Sequence, residues 1–363
     1  MKTRWIFILL TIFFLWALVS RFTELEELKN TLQQGQWSWI LAAFFFQAFY
    51  FIAYTASFQA AFEALDIRTR TRDLLPITLG SLFVNMVVPV SIAGSTALFT
   101  QTFARQGKPA ARVATGVFLQ LIADFAAFTF MLVPGLIFLF YEHDLKAYEV
   151  VASLLLLGMT IGLSGILLLG IWRPAWLYPV FDVAQHTANR VAQKIRRPPF
   201  LAEDWAQKNA AEFSHASNAV TGHPSRLMRT FGVALLAHLL DIVTLYLLFR
   251  AFNQPVSLGV LVAGYAVGVL FWIVSITPQG IGVVEGAMAL VFTSLGISGA
   301  VATTVALAFR GLTFWIPMAV GFFAVQRMQL FGSNQRTLTE IWGVQFAAIL
   351  VALMGIVNVI SAV

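Results

Sequence analysis

Four residues that are charged at neutral pH stand inside stretches that are otherwise apolar enough to cross a membrane: Asp124, Asp241, Glu285 and Arg310. A charge at the centre of a membrane helix costs at least ~2.5–3.5 kcal/mol, so each of the four needs a partner or a function. A guanidinium binds phosphate bidentately, and a carboxylate binds a proton or a cationic group. These residue types therefore indicate anion or proton binding within the membrane.

Spacing predicts that Glu285 and Arg310 form a pair. A turn near 297–298 lies at a similar distance from both, and at ~1.5 Å rise per residue an antiparallel helix pair would place them at matching depth. Glu285 also falls in the first turn of a predicted half-helix, where the helix dipole stabilises a carboxylate. The pair is either a structural ion pair or part of a substrate site. We favour the site, because desolvation makes a buried ion pair a poor structural link.

Other polar residues are weaker candidates for the same central zone. Asp124 is predicted to lie there, and His238 and Asp241 share one helix face, where they could pair with each other or relay protons. Asn85 and Ser91 could bond substrate or cap broken backbone. For these residues the structural and functional interpretations both stay open.

The charges are positioned by apolar segments, two of which are interrupted. The stretch SITPQGIGVVEG, Ser275 to Gly286, contains Pro278, Gly280 and Gly282, which break a helix. Gly280 and Gly282 are candidates for substrate binding. An earlier stretch, VVPVSIAGS, has the same character. The segments of about 74–104 and 258–296 are therefore predicted to be interrupted, and seven full spans are predicted at about 5–19, 37–60, 112–140, 150–172, 230–249, 300–326 and 341–362.

Composition defines the class of protein. The chain has 363 residues, 59% of them hydrophobic and only 11% charged, with a mean hydropathy of +0.81. A soluble domain carries about 25% charged residues, so this is an all-α polytopic membrane protein, treated as a single membrane domain over 1–363. The chain has no cysteine, and its five histidines lack metal-ligand spacing. We expect no metal, no cofactor, no nucleic-acid partner and no enzymatic activity; the oligomeric state is not predicted.

The basic residues predict orientation. If the N-terminus is cytoplasmic and each interrupted segment enters and leaves on one side, the outer loops hold only four basic residues: Arg21, Lys29, Lys146 and Arg250. This bias is the positive-inside pattern, and it predicts a multi-pass protein of the cell inner (cytoplasmic) membrane. The segment 173–229 is predicted to be a cytoplasmic amphipathic segment on anionic lipid.

An internal repeat is also predicted. Leu82–Thr115 aligns with Phe271–Thr304 without a gap, so that Pro89 meets Pro278 and Gly107 meets Gly296. The two repeats span about 37–140 and 230–326. Since the first break would enter from the cytoplasm and the second from outside, the predicted architecture is an inverted-topology repeat with two re-entrant helical hairpins.

The block from Pro278 to Gly286, together with VNMVVPVSIAG one repeat earlier, resembles the lysylphosphatidylglycerol synthase transmembrane family of flippase-like integral membrane proteins. The resemblance implies lipid translocation, with Glu285 and Arg310 matching polar positions of the family. Some members carry a soluble aminoacyl-transfer domain, and we expect no such domain within residues 1–363. The first break also lacks the arginine and aspartate often found there in the family, which leaves the headgroup undefined.

These observations predict a flippase or transporter for a lipid or lipid-linked substrate, with a phospholipid or lipid-linked sugar as the membrane partner. Its substrate-binding residues would be drawn from Glu285, Arg310 and Asp124 and from the polar and glycine positions of the two breaks. The alternatives are a transporter for a small soluble anion, a membrane-embedded transferase, and an accessory subunit of lipid or glycolipid synthesis.

Overall fold

The computed structural model describes residues 35–327 except 88–90, 143–146, 195–198, 200–201, 222–223, 276–279 and 281. Helices account for 87% of this described part and no strand occurs in it, which confirms the all-α class. The predicted spans at 5–19 and 341–362 lie outside the described residues.

Twelve α-helices are described. They are α1 Trp37–Ala64, α2 Thr71–Val87, α3 Ser91–Ala104, α4 Ala110–Tyr141, α5 Ala147–Trp172, α6 Leu177–Lys194, α7 Trp205–Thr221, α8 Pro224–Ala251, α9 Leu258–Val274, α10 Val283–Ser294, α11 Gly299–Arg310 and α12 Ile316–Arg327. A π-helix, Gly311–Trp315, joins α11 to α12, and a 3₁₀ turn, Pro174–Trp176, precedes α6.

Both segments predicted to be interrupted are made of two shorter helices. The first consists of α2 and α3, and the second of α9 and α10. Four helical stretches in the described part are long and apolar enough to span a membrane: Trp37–Ala64, Ala110–Tyr141, Pro224–Ala251 and Gly299–Val325. The chain is thus an integral membrane protein, and the full number of spans stays a prediction.

Helices α1 and α8 form an antiparallel pair. The Gln36 N–H donates to the Ala251 carbonyl over 2.9 Å at one end. At the other end Arg229 bonds to Glu63 over 2.7 Å and Arg226 bonds to Asp66 over 2.8 Å. We call the end that holds Glu63 and Arg229 the basic end, and the end that holds Gln36 and Ala251 the opposite end.

The outer ends of α2 and α3 both pack against the basic end of α1. Thr71, the first residue of α2, donates a hydrogen bond to the Gln59 side chain. In α3 the Phe99 ring stacks on Phe58 at 4.7 Å, and the Phe103 ring lies 5.1 Å from Phe62. The first interrupted segment therefore has both of its outer ends near the same end of α1.

The outer ends of α9 and α10 lie near the opposite end. Helix α9 begins after Ser257, whose hydroxyl caps it by accepting from the Val260 N–H over 3.3 Å. Near the end of α10, the Phe292 ring packs edge-on against Phe249 of α8 at 4.9 Å. Phe249 lies in the last turn of α8, so α10 returns toward the end at which α9 began.

The first and second halves of the chain correspond in helix length and in their turns. Helices α1 and α8 have 28 residues each, and α2 and α9 have 17 each. Helices α3 and α10 end in the same kind of turn, in which Gly107 and Gly296 have φ of 73° and 89°. In each turn the next N–H bonds back to a phenylalanine carbonyl, that of Phe103 or Phe292, which is a helix-terminating motif that favours glycine.

The segment 173–229 contains α6 and α7, which pack on each other. Leu177 is buried, and the Phe181 ring lies 5.7 Å from Trp205 and 5.8 Å from Phe213. An apolar face of α7 thus packs against Leu177 and Phe181, and contact of the segment with lipid stays a prediction. Trp176, just before α6, is 66% exposed.

Candidate functional site

Glu285 and Arg310 form the buried ion pair that their spacing predicts. The Arg310 Nε donates to Glu285 Oε1 over 2.8 Å, and the two side chains are only 8% and 16% exposed. The turn between α10 and α11 places the two side chains at the same depth. Arg310 is the last residue of α11, and Glu285 lies in the first turn of α10.

Glu285 also caps its own helix. Gly282, with φ of 81°, precedes α10, and its N–H donates to Glu285 Oε2 over 2.8 Å. One carboxylate oxygen therefore bonds to the start of the half-helix and the other to Arg310. The positive end of the helix dipole and the guanidinium meet at the same carboxylate, which makes this position favourable for a negative charge.

A π-helix begins directly after Arg310. Its residue Phe314 places its ring 4.9 Å from the guanidinium carbon, a cation–π contact that helps to hold the charge in an apolar setting. Single π-turns inside α-helices are rare and are frequently found at functional sites. Sequence reasoning did not anticipate this feature, since its only local signal was Gly311, and one glycine within a helix is a weak indicator.

A second group of buried polar side chains lies between α1, α4, α8 and α9. We call it the buried cluster, and it consists of Gln47, Asp124, His238, Asp241 and Tyr265. The His238 Nδ1 lies 2.6 Å from the Tyr265 hydroxyl, and that hydroxyl lies 3.3 Å from Asp241 Oδ2. On its other side the imidazole Nε2 lies 3.3 Å from the Asp124 carbonyl oxygen and 3.6 Å from Asp124 Oδ1.

This arrangement gives the partners of three predicted residues. The hydroxyl of Tyr265 lies between His238 and Asp241, which share one helix face, and Gln47 Nε2 donates to Asp241 Oδ1 over 3.2 Å. Asp124 lies against His238, and its role in substrate binding stays a prediction. Helical spacing could place His238 and Asp241 on one face, but the group between them comes from α9, which no local pattern indicates.

The two polar sites are neighbours through one aromatic contact. Phe309, which precedes Arg310 in the chain, has its ring edge-on to Tyr265 at 6.4 Å. Helix α11 thus contacts the buried cluster through one residue and presents the cation of the ion pair through the next.

The remaining predicted residues border the two breaks. Asn85 lies half-buried in the last turn of α2, and Ser91 is the first residue of α3, its side chain lying outside the described part. Gly280 is buried with φ of 68°, and a β-carbon there would meet the Trp272 backbone at 3.3 Å. Gly282 is exposed beside the ion pair. No contact in the described part tests substrate binding by these four residues.

The fold and the ion pair define a class: an all-helical integral membrane protein with half-length helices and a buried ion pair at the start of one of them. The chain belongs to the family described as the lysylphosphatidylglycerol synthase TM region, whose model matches residues 4–321. The family predicted from the Pro278–Gly286 block is thereby confirmed.

Two relatives match along most of their length. A UPF0104 membrane protein of Methanothermobacter thermautotrophicus is 22% identical over 321 residues, which covers 85% of this chain and 90% of the relative. A UPF0104 membrane protein of Methanocaldococcus jannaschii is 21% identical over 328 residues, covering 88% of this chain and 93% of the relative. Their names describe membrane proteins and assign no activity.

Proposed function

We propose that this protein moves a lipid or lipid-linked substrate between the leaflets of the cytoplasmic membrane and holds its phosphate-bearing headgroup at the Glu285–Arg310 site. The observation that carries the proposal is the buried ion pair at the first turn of α10, 2.8 Å from nitrogen to oxygen. Ionisable residues inside a membrane protein are costly and usually mark a transport pathway.

The chemistry of the site suits a phosphate. Glu285 accepts one hydrogen bond from the Gly282 N–H and another from Arg310. A phosphate oxygen accepts from the same kinds of donor, a helix N-terminus and a guanidinium. The headgroup would therefore displace the carboxylate from Arg310 when it binds, and Glu285 would displace the headgroup when it leaves.

The proposed path lies between two re-entrant hairpins of an inverted repeat. Three observations support it: the outer ends of α2 and α3 pack at the basic end, those of α9 and α10 pack near the opposite end, and the two halves match in helix length. Hairpins that enter from opposite sides are a recurrent architecture of transporters that alternate access to a central site. Backbone that is broken at membrane depth is tolerated only within protein or beside a watery cavity.

Transport is tested by reconstitution in liposomes, following fluorescent phospholipids and polyprenyl phosphates between leaflets. Glu285→Gln and Arg310→Ala should each reduce movement strongly, because each removes one charge of the site. The matched controls are Glu63→Gln and Arg229→Ala, which open the exposed pair at the basic end and should leave movement unchanged. A parent protein that moves neither lipid would contradict the proposal and favour a transferase or accessory role.

A double variant separates a headgroup site from a structural link. Replacing both members of a buried ion pair by uncharged residues is often neutral for stability, whereas removing one partner is costly. Glu285→Gln combined with Arg310→Met should therefore unfold near the parent temperature and yet lose lipid movement. Retained movement in the folded double variant would mean that the pair only holds the hairpin together.

The topology has its own test, independent of any substrate. Lys108 and Ser298 are both exposed, follow α3 and α10 respectively, and lie in a chain without cysteine. We expect Lys108→Cys to react with an impermeant maleimide from the cytoplasmic side and Ser298→Cys from the other side. Labelling of both cysteine variants from the same side would contradict the inverted repeat.

A further inference from the structure

The buried cluster lies between the two halves of the chain. Asp124 and Gln47 come from α4 and α1 of the first half, whereas His238, Asp241 and Tyr265 come from α8 and α9 of the second half. All five residues are buried, with exposed fractions between 1% and 9%. A polar group at such a place must satisfy its hydrogen bonds within the protein.

The contacts within the cluster require one more hydrogen than its neutral side chains supply. Three contacts follow one another: Asp241 Oδ2 to the Tyr265 hydroxyl at 3.3 Å, that hydroxyl to His238 Nδ1 at 2.6 Å, and His238 Nε2 to the Asp124 carbonyl at 3.3 Å. Each contact needs one hydrogen. A neutral tyrosine supplies one and a neutral imidazole supplies one, so the third hydrogen must come from an added proton.

Without that proton, one contact always brings two acceptors together. If the imidazole hydrogen is on Nδ1, the bare Nε2 faces the Asp124 carbonyl. If it is on Nε2, the Tyr265 hydroxyl must donate to Nδ1, and its oxygen then faces Asp241 with no hydrogen between them. A buried acceptor left without a donor is unfavourable, so the geometry of the three contacts fits the proton-loaded form.

The added proton has two resting places. It can sit on the imidazole, with Tyr265 donating to Asp241, or on Asp241, with Tyr265 donating to His238. Transfer of the Nδ1 hydrogen to the Tyr265 oxygen, together with transfer of the Tyr265 hydrogen to Asp241, converts the first form into the second and conserves every atom and the net charge. The cluster can thus pass a proton along its length as well as store one.

The other groups that face the cluster favour a cationic ligand. Within the described part of the chain, Tyr50 and Tyr54 of α1 also interact electrostatically with the carboxylates of the cluster, and both are neutral phenols in their ordinary form. The Gln47 Oε1 is buried and accepts no hydrogen bond within the described part of the chain. Arg310, on the neighbouring α11, is already engaged by Glu285. In that same part no three histidine or carboxylate side chains could hold a metal ion.

We propose that the His238–Tyr265–Asp241 chain binds one exchangeable proton at the interface of the two halves, and that loading and release of this proton couple lipid movement to a pH gradient. The coupling rests on the proposed function; the proton site does not. His238, Tyr265 and Asp241 all belong to the second half, and the contact of His238 Nε2 with the Asp124 carbonyl bonds them to the first half. In the loaded form this contact is a hydrogen bond between the halves. Release of the proton from Nε2 leaves two acceptors opposed at this contact, which favours separation of the halves.

The site is tested by infrared difference spectroscopy of the purified parent protein titrated with pH, which needs no lipid movement. The parent should show one protonation change in its carboxyl and imidazole bands. That change should be lost in Tyr265→Phe, which removes only the bridging hydroxyl, and in His238→Gln. Tyr246→Phe, on α8 but outside the cluster and 39% exposed, is the matched control and should behave as the parent does.

If Tyr265→Phe or His238→Gln fails to fold, Asp241→Asn takes its place. This variant should also lose the protonation change in the infrared spectrum. Spectra that respond to pH identically in the parent and in the folded variants would overturn the proton site. A response to sodium in place of pH would overturn it as well.

Coupling between the proton site and lipid movement is then tested by measuring lipid movement in liposomes with an imposed pH gradient. The gradient should alter lipid movement in the parent and in Tyr246→Phe, and this response should be lost in Tyr265→Phe while movement without a gradient persists. A gradient response that survives in Tyr265→Phe would overturn the coupling. A parent that moves no lipid contradicts the proposed function, and the infrared titration still decides the proton site.

Discussion

The two interrupted segments share a backbone plan and differ in chemistry. Helices α2 and α9 have equal lengths, and α3 and α10 end in equivalent glycine turns. By the predicted alignment of the halves, however, Thr96 stands where the second half has Glu285, and Leu121 stands where it has Arg310. The pattern of apolar residues and breaks is duplicated, whereas the buried charges are not. This difference indicates that the second interrupted segment is specialised for an ionic task.

The largest expected loss of stability follows from removing Arg310, because the first half has Leu121 at the corresponding position. Arg310→Ala leaves Glu285 buried without its partner, which should cost about 3–5 kcal/mol of stability. Arg229→Ala opens the exposed pair with Glu63 and should cost only about 0–1 kcal/mol. Thermal unfolding in detergent measures both. Equal losses would mean that the Glu285 site is as well hydrated as the surface pair.

A smaller effect concerns two of the contacts that join the halves, α12 on α2 and α4 on α9. A β-carbon on Gly321 would lie 2.3 Å from the Leu79 carbonyl oxygen, and backbone cannot move aside easily. Gly321→Ala should therefore cost about 1–3 kcal/mol. At the corresponding contact a β-carbon on Gly135 would lie 3.0 Å from the Ala266 β-carbon, so Gly135→Ala should cost less.

The same unfolding measurement, made on each single variant, ranks the two contacts. A larger loss of stability in Gly135→Ala than in Gly321→Ala would show that α12 can move away from α2 more readily than the observed packing implies.

The smallest effect tests whether the two halves really share their turns. Gly107 and Gly296 both have positive φ, and a β-carbon at either position would meet nothing within 4 Å. Replacing either by alanine should therefore cost only the conformational penalty of about 1–2 kcal/mol, and equally in both halves. Unequal losses, measured by thermal unfolding, would show that one turn bears strain that the other does not.

Much of the helical plan follows from the sequence. Spans predicted at 37–60 and 112–140 appear as helices Trp37–Ala64 and Ala110–Tyr141. A long apolar segment in a membrane forms a helix because hydrogen bonds within the helix satisfy its backbone N–H and C=O groups, which lipid cannot do. The breaks follow from proline and glycine, whose effect on a helix is local. The Glu285–Arg310 pair was predictable because a short turn sets the register of the two helices that carry it.

The tertiary structure alone decided the remaining partners. Tyr265 and Gln47 join the buried cluster from α9 and α1, which are different helices from the one that carries His238. Likewise, α7 packs against Leu177 and Phe181 of α6. The π-helix after Arg310 depends in the same way on packing around it. Helix formation and helix breaking depend on neighbours in the sequence, so the residues reveal them. Which polar groups meet depends on how whole helices pack, and that is a property of the folded chain.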